Sequence, residues 1–267
     1  MILSSQVMSN QDIHNAAKNG DISRLSTLIN SRALLDVKGS GNWTPLHYAA
    51  RYGHRGAVQV LVDAKANIDV QNSTGETPMH CAAANGHRGA VQVLVDAKAS
   101  VDVHDNDDQF PLHYAAQYGH RGALQVLVDA KAGVDVQDCG GWTAMHYAAA
   151  NNHSGTVQVL VDAKANIDVQ NSTGETPMHR AAANGHRGAV QVLVDAKASV
   201  DVQNRDGQFP LHYAAYHGHK DTVRVLAASG ASVTIGAKYP CSDSVHKTPL
   251  TESDMCRRDG VDLRFHD

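Results

Sequence analysis

Six segments of one pattern follow each other at a fixed interval of 33 residues. They are "TPLHYAARYGHRG" from Thr44, "TPMHCAAANGHRG" from Thr77, "FPLHYAAQYGHRG" from Phe110, "TAMHYAAANNHSG" from Thr143, "TPMHRAAANGHRG" from Thr176 and "FPLHYAAYHGHKD" from Phe209. A constant interval without insertions makes each segment one supersecondary unit that must stack on its neighbours to bury its apolar face. Such a chain folds as an array, not around a single deep core. The composition agrees: only 5% of residues are aromatic, which suits thin layers of Ala, Val and Leu. Upstream, "QDIHNAAKNGDI" places His14 in the same phase; downstream, "TPLTESDMCRRDG" begins at Thr248, six residues late and eroded.

One unit, "QNSTGETPMHCAAANGHRGAVQVLVDAKASVDV", reads as turn, helix, turn, helix. The polar run from Gln71 to Glu76, with Gly75, has turn chemistry. Thr77 suits an N-cap, and Pro78 suits the first helical position, where its missing N–H costs nothing. Met79, Ala82 and Ala83 predict one apolar stripe, and Val91, Leu94 and Val95 a second. Gly86 ends the first helix in a left-handed conformation.

The period, the TPLH opening and the Gly-His between helices resemble the ankyrin repeat family across residues 5–235. The resemblance implies an all-α solenoid of stacked antiparallel helix pairs with β-hairpin or turn fingers. It implies an N-terminal capping repeat at about 5–37, then units at 38–70, 71–103, 104–136, 137–169, 170–202 and 203–235. Residues 236–267 then form a degenerate capping repeat with a six-residue insertion, which could also serve as a functional loop. The family's binding surface is normally the concave face of fingers and inner helices.

A net charge of −4 and a pI near 6.5 argue against nucleic-acid or anionic-membrane partners. No apolar run approaches the ~18 residues of a membrane span, and the N-terminal segment is a poor signal peptide. Cys81, Cys139, Cys241 and Cys256 lie far apart without metal or redox spacing, as reduced cytosolic thiols do. A cytoplasmic monomer is expected, in the host cytosol if the chain is a microbial effector. The sequons at Asn42, Asn72, Asn152 and Asn171 are then accidental.

Seventeen histidines invite a metal reading, yet thirteen occupy repeated scaffold positions. The resemblance makes His47, His80, His113, His146, His179 and His212 structural, bonding across the turn between successive loops. His54, His87, His120, His153, His186 and His219 sit at the inter-helix turn. No Cys or carboxylate completes a tetrahedral set. No nucleophile, base and orienting group escape the repeat either, so neither metal, cofactor nor enzymatic activity is expected. The Arg55, Arg88, Arg121, Arg187 and Lys220 row and the Asp63, Asp96, Asp129, Asp162 and Asp195 row read as solvated faces.

Function should lie where units differ. The residue before each Thr or Phe runs Trp43, Glu76, Gln109, Trp142, Glu175, Gln208. Exposed Trp, Tyr and Arg dominate binding hot spots, which nominates Trp43, Arg51, Tyr52, Tyr118, Trp142 and Tyr216 as contacts. Glu76, Gln109, Glu175 and Gln208 would supply a polar rim; alternatively the two tryptophans lie flat on neighbouring fingers as packing. The leading function is a non-enzymatic protein-interaction module, as an adaptor, scaffold or effector whose activity lies in a partner. A nucleotide sensor is the alternative, with Trp43, Arg51 and Lys38 stacking on and neutralising the anion. Modification by an asparaginyl hydroxylase is weakened, since Asp36, Asp69, Asp102, Asp135, Asp168 and Asp201 replace the family's asparagine.

Three expectations concern particular residues. Lys65, Lys98, Lys131, Lys164 and Lys197 stand where the family has a helix-ending glycine, and should take positive φ. Phe110 and Phe209 lack an N-cap acceptor, so their rings should pack against an adjacent finger. Residues 58–103 match 157–202 except at Cys81 and Arg180, so three units are duplicated at an interval of 99. Because Arg51-Tyr52 becomes Ala150-Asn151, the second copy looks poorer in anchors, a weaker site for a dimeric or repetitive partner.

Overall fold

The computed structural model describes residues 2–232, with side chains from Gln11. The insertion, Cys241, Cys256 and the expected C-terminal capping repeat lie outside the described residues. Two compact units divide the chain, Met1–Cys139 and Gly140 onward.

In the first unit, α1 (Ile2–Asn19) pairs with α2 (Ile22–Asn30), α3 (Pro45–Arg51) with α4 (Arg55–Asp63), α5 (Pro78–Ala84) with α6 (Arg88–Asp96), and α7 (Pro111–Gln117) with α8 (Arg121–Asp129). The inner helices α1, α3, α5 and α7 pack in order, as do the outer helices α2, α4, α6 and α8. The second unit repeats this with α9 (Ala144–Ala150) and α10 (Ser154–Asp162), α11 (Pro177–Ala183) and α12 (Arg187–Asp195), and α13 (Pro210–Tyr216) and α14 (Lys220–Ala228). Among the described residues there is no β-strand: the fingers are hydrogen-bonded turns.

The inner-helix stripe is as expected. Met79, Ala82 and Ala83 are wholly buried, like Leu46, Ala49 and Ala50 one unit earlier. On the outer helix Val91 and Leu94 are buried, but Val93 takes the place expected for Val95, which is only half-buried. α6 has α4 on one side and α8 on the other, so its buried surface is wider than a single stripe.

Two ladders of histidine hold the layers together. His47 Nε2 lies 3.0 Å from the Glu76 carbonyl of the next finger, and His80 3.1 Å from that of Gln109. In the second unit His146 and His179 reach Glu175 and Gln208, each at 3.0 Å. A carbonyl only accepts, so Nε2 carries the proton and Nδ1 is the acceptor. Nδ1 of His80 accordingly takes the Thr77 N–H at 3.0 Å and faces the Thr77 hydroxyl at 2.9 Å. Thr77 stands at the N-cap position in a capping box with His80, its hydroxyl also facing the His80 ring. Burial holds His47, His80, His113, His179 and His212 below the usual imidazole pKa, so these rings stay neutral.

The second ladder runs backwards. His54 reaches the Lys18 carbonyl at 2.9 Å, His87 that of Arg51 at 2.8 Å, and His186 that of Ala150 at 2.9 Å. Glycine best fits the position before each of these histidines, although Asn152 takes the same left-handed position in one unit, at φ 59°. Gly86 has φ 71°, and a Cβ there would sit 2.5 Å from His120 Nδ1. The aspartate row is a third tie. Asp36 accepts the Asn67 N–H, Asp69 that of Ser100 and Asp168 that of Ser199, each at 2.9 Å.

The lysines behave as expected: φ is 71° at Lys65, 67° at Lys98, 69° at Lys131, 65° at Lys164 and 68° at Lys197. Lys65 N–H bonds Val62 at 2.9 Å and Ala66 N–H bonds Leu61 at 3.0 Å, the Schellman pattern that normally selects glycine. Phe110 is half-buried against His104 of its own finger and His113 of its own helix, with centroids 5.9 and 5.6 Å away. Its N–H still reaches His113 Nδ1 at 3.2 Å, so the helix start survives without threonine.

Candidate functional site

Each finger is built from a side chain at its base. Asn72 Oδ1 accepts from the N–H groups of Thr74 and Glu76, both at 2.9 Å, curling residues 72–76 into a turn. Asp105, Asn171 and Asn204 do the same in their fingers. Backbone bonds join neighbouring fingers, Ser73 to Gly41 at 2.8 Å, Asn106 to Thr74 at 3.0 Å and Arg205 to Thr173 at 3.1 Å. The residue closing the finger has its carbonyl taken by a ladder histidine. Its backbone is pinned while its side chain is free to vary. That is where Trp43, Glu76, Gln109, Trp142, Glu175 and Gln208 stand.

In the first unit Trp43 is half-buried, not exposed. Its ring packs on His47 and Tyr48 of its own helix at 5.6 and 5.3 Å, and the Arg51 guanidinium lies 5.2 Å from its centroid. That geometry is a cation–π contact. Arg51 is exposed; Tyr52 is 44% and Tyr118 51% exposed. Lys18 Nζ lies 5.7 Å from the Tyr52 ring. Glu76 and Gln109 are half-buried, and the Glu76 carboxylate accepts from Asn72 at 2.8 Å and Thr74 at 2.9 Å.

In the second unit Trp142 is again half-buried, on His146 and Tyr147 at 5.8 and 5.1 Å. Its cation comes from a different helix. Arg180 of α11 lies 4.9 Å from the ring centroid, although Ala150 has replaced the arginine of α3. Arg180 Nη1 also meets Glu175 Oε2 at 3.3 Å. The other Glu175 oxygen accepts from Tyr213 at 2.8 Å, and Tyr213 OH accepts from Asn204 at 2.9 Å. Burial pushes the Glu175 carboxyl up, but Tyr213, Arg180, Asn171 and Thr173 together outweigh it and hold the group below the usual carboxylate range. Tyr213, itself buried and donating to Glu175, is pushed well above the ordinary phenol value.

Glu175, expected at an open rim, is 8% exposed and satisfied internally. Arg180, absent from the expected set, is the residue that completes the second patch. Its signal was present as the single difference between the duplicated segments, Cys81 against Arg180, but its ring partner lies 38 positions away, in the preceding finger. Gln208 is half-buried, and Tyr216 is the most exposed of the large hydrophobic side chains among the described residues, at 67%.

Cys81 stands where Arg180 does in the other copy. It is 3% exposed, and burial pushes its thiol far above the range in which a thiolate forms. Among the described residues no group of three His, Cys, Asp or Glu is placed to hold a metal, and no helix is long and apolar enough to cross a membrane.

The paired helices, pinned fingers and histidine ladders define a class of repeat array. The family model for ankyrin repeats matches three times, at residues 13–105, 97–171 and 155–237, so the chain belongs to the ankyrin repeat family. Among solved structures 583 chains match. The human ASB11 ankyrin repeat domain does so with TM-score 0.74 and 24% identity, over 81% of this chain and 96% of that one, a likeness of fold alone. A search of curated proteins returned no match. Ankyrin repeats are generally protein-interaction modules and generally not enzymes.

Proposed function

We propose that the chain is a cytoplasmic, non-enzymatic adaptor or scaffold that binds a partner protein on the face made by its fingers and inner helices. The observation that carries this reading is the placing of the exposed aromatic residues. Of the five exposed large hydrophobic side chains among the described residues, Tyr52, Tyr118 and Tyr216 all lie at the C-terminal end of an inner helix. Tyrosine is amphipathic and stiff, so it supplies contact area at small entropic cost. Scaffold needs account for the remaining repeated polar residues, whereas no ladder requires a tyrosine there. A reducing cytosol also suits the free, exposed Cys139.

The test is affinity capture from native cells with the full chain, comparing wild type with the Trp43→Ala/Trp142→Ala and Tyr52→Ser/Tyr118→Ser variants. Proteins retained by wild type and lost by both variants, with helical content unchanged, support the reading. Retention by both variants at wild-type levels contradicts it.

A further inference from the structure

The two copies of the duplicated surface differ in one chemical respect. Both cover a tryptophan with a guanidinium, but only one of those cations is neutralised. Arg180 faces Glu175 at 3.3 Å, with side chains 29% and 10% exposed. Arg51 is exposed and, among the described residues, forms no ion pair. Beside it Lys18 is likewise exposed and unpaired, resting near the Tyr52 ring. Asp12 pairs with Arg24 at 2.7 Å, Asp21 accepts the Arg24 N–H at 2.9 Å, and Glu76 accepts from Asn72 and Thr74.

The two cations are also held in place. The carbonyl of Lys18 is tied by His54 and that of Arg51 by His87, so the histidine ladder fixes the backbone under both. Each charged head lies near an aromatic ring, which restricts its freedom before a ligand arrives. We propose that the patch of Lys18, Trp43, Arg51 and Tyr52 is a docking site for an acidic peptide segment of the partner, its Asp or Glu carboxylates pairing with Arg51 and Lys18. This rests on the protein-binding reading above and adds the partner's chemistry. A guanidinium offers a carboxylate two parallel N–H donors, and the Tyr52 ring offers apolar area to a neighbouring side chain. The molecule's net charge of −4 opposes an acidic partner at long range, so selectivity arises at contact. The second copy does not share the site. Its counterparts of Lys18, Arg51 and Tyr52 are Gln117, Ala150 and Asn151, and Arg180 is already paired.

The test is panning of a random dodecapeptide phage library on the full chain, followed by anisotropy titrations of the selected peptides, with circular dichroism melts of every variant. Peptides enriched in Asp and Glu are expected. They should lose about tenfold in affinity on Arg51→Ala and several-fold on Lys18→Gln, and none on Arg180→Cys. Peptides that need Trp43 and Tyr52, shown with Trp43→Ala and Tyr52→Ser, yet lack acidic enrichment and ignore Arg51→Ala, would overturn the acidic assignment and leave the protein-binding face standing. Selected peptides indifferent to all of these substitutions would remove both.

Discussion

The side chains that constrain this chain most are those whose conformation costs something. Five lysines adopt left-handed backbone at the ends of outer helices, at about 1 kcal/mol each relative to glycine. Lys98→Gly should therefore stabilise the chain by about 1 kcal/mol in urea unfolding, since its exposed side chain makes no hydrogen bond or ion pair among the described residues. No change, or a loss, would mean that the lysine stem covers apolar surface. Glu175 gives the opposite case. Its carboxylate accepts from Tyr213 and Thr173 and faces Arg180, and hydrogen bonds to a charged group are worth about 1.5–3 kcal/mol. Glu175→Gln should destabilise by about 2 kcal/mol, whereas Glu76→Gln, lacking the arginine and that tyrosine, should cost under ~1 kcal/mol. Parallel melts of the two variants compare identical sequence positions in the two copies.

At the level of elements, helix, turn and period were all written in the sequence, because the TPLH and Gly-His signatures are local. The partners of the histidines were legible only as a direction. That His80 bonds a carbonyl 29 residues on, and His87 one 36 residues back, follows from stacking and from no local pattern. The threonine is the N-cap its sequence position predicts, and its hydroxyl meets the histidine as well. The ladder makes stability depend on pH. His47, His80, His113, His179, His186 and His212 are lowered by burial, so the folded chain binds protons less readily than the unfolded one. Their contribution is complete above the unfolded imidazole value near ~6.5 and is lost as pH falls through the folded values. The urea midpoint should fall steadily between about pH 7.5 and 5.5. A flat profile would contradict the neutral-ring assignment. Replacing one rung should also be costly: His80→Phe leaves the Gln109 carbonyl and the Thr77 hydroxyl unsatisfied, for a loss of about 2–4 kcal/mol.

Across the whole molecule, repetition separates framework from function. The repeated histidine, aspartate and glutamine rows are tied to backbone or to one another, as with Gln92 and Asp96 at 2.8 Å and Gln125 and Asp129 at 2.9 Å. The finger and inner-helix positions vary, and Tyr52, Tyr118 and Tyr216 are exposed there. The duplication was visible as text, but the source of the second copy's cation was not. The second copy is not short of a cation on its tryptophan; it draws Arg180 from the following unit and neutralises it with Glu175. The central claim is that this variable face, and not the repeated outer face, meets the partner. Hydrogen–deuterium exchange of the full chain, free and saturated with a captured partner, tests it directly. Protection over residues 43–52, 76–85 and 109–118, with 55–63 and 88–96 unchanged, is the result the account predicts. Protection confined to the outer helices at 55–63 and 88–96 would contradict it.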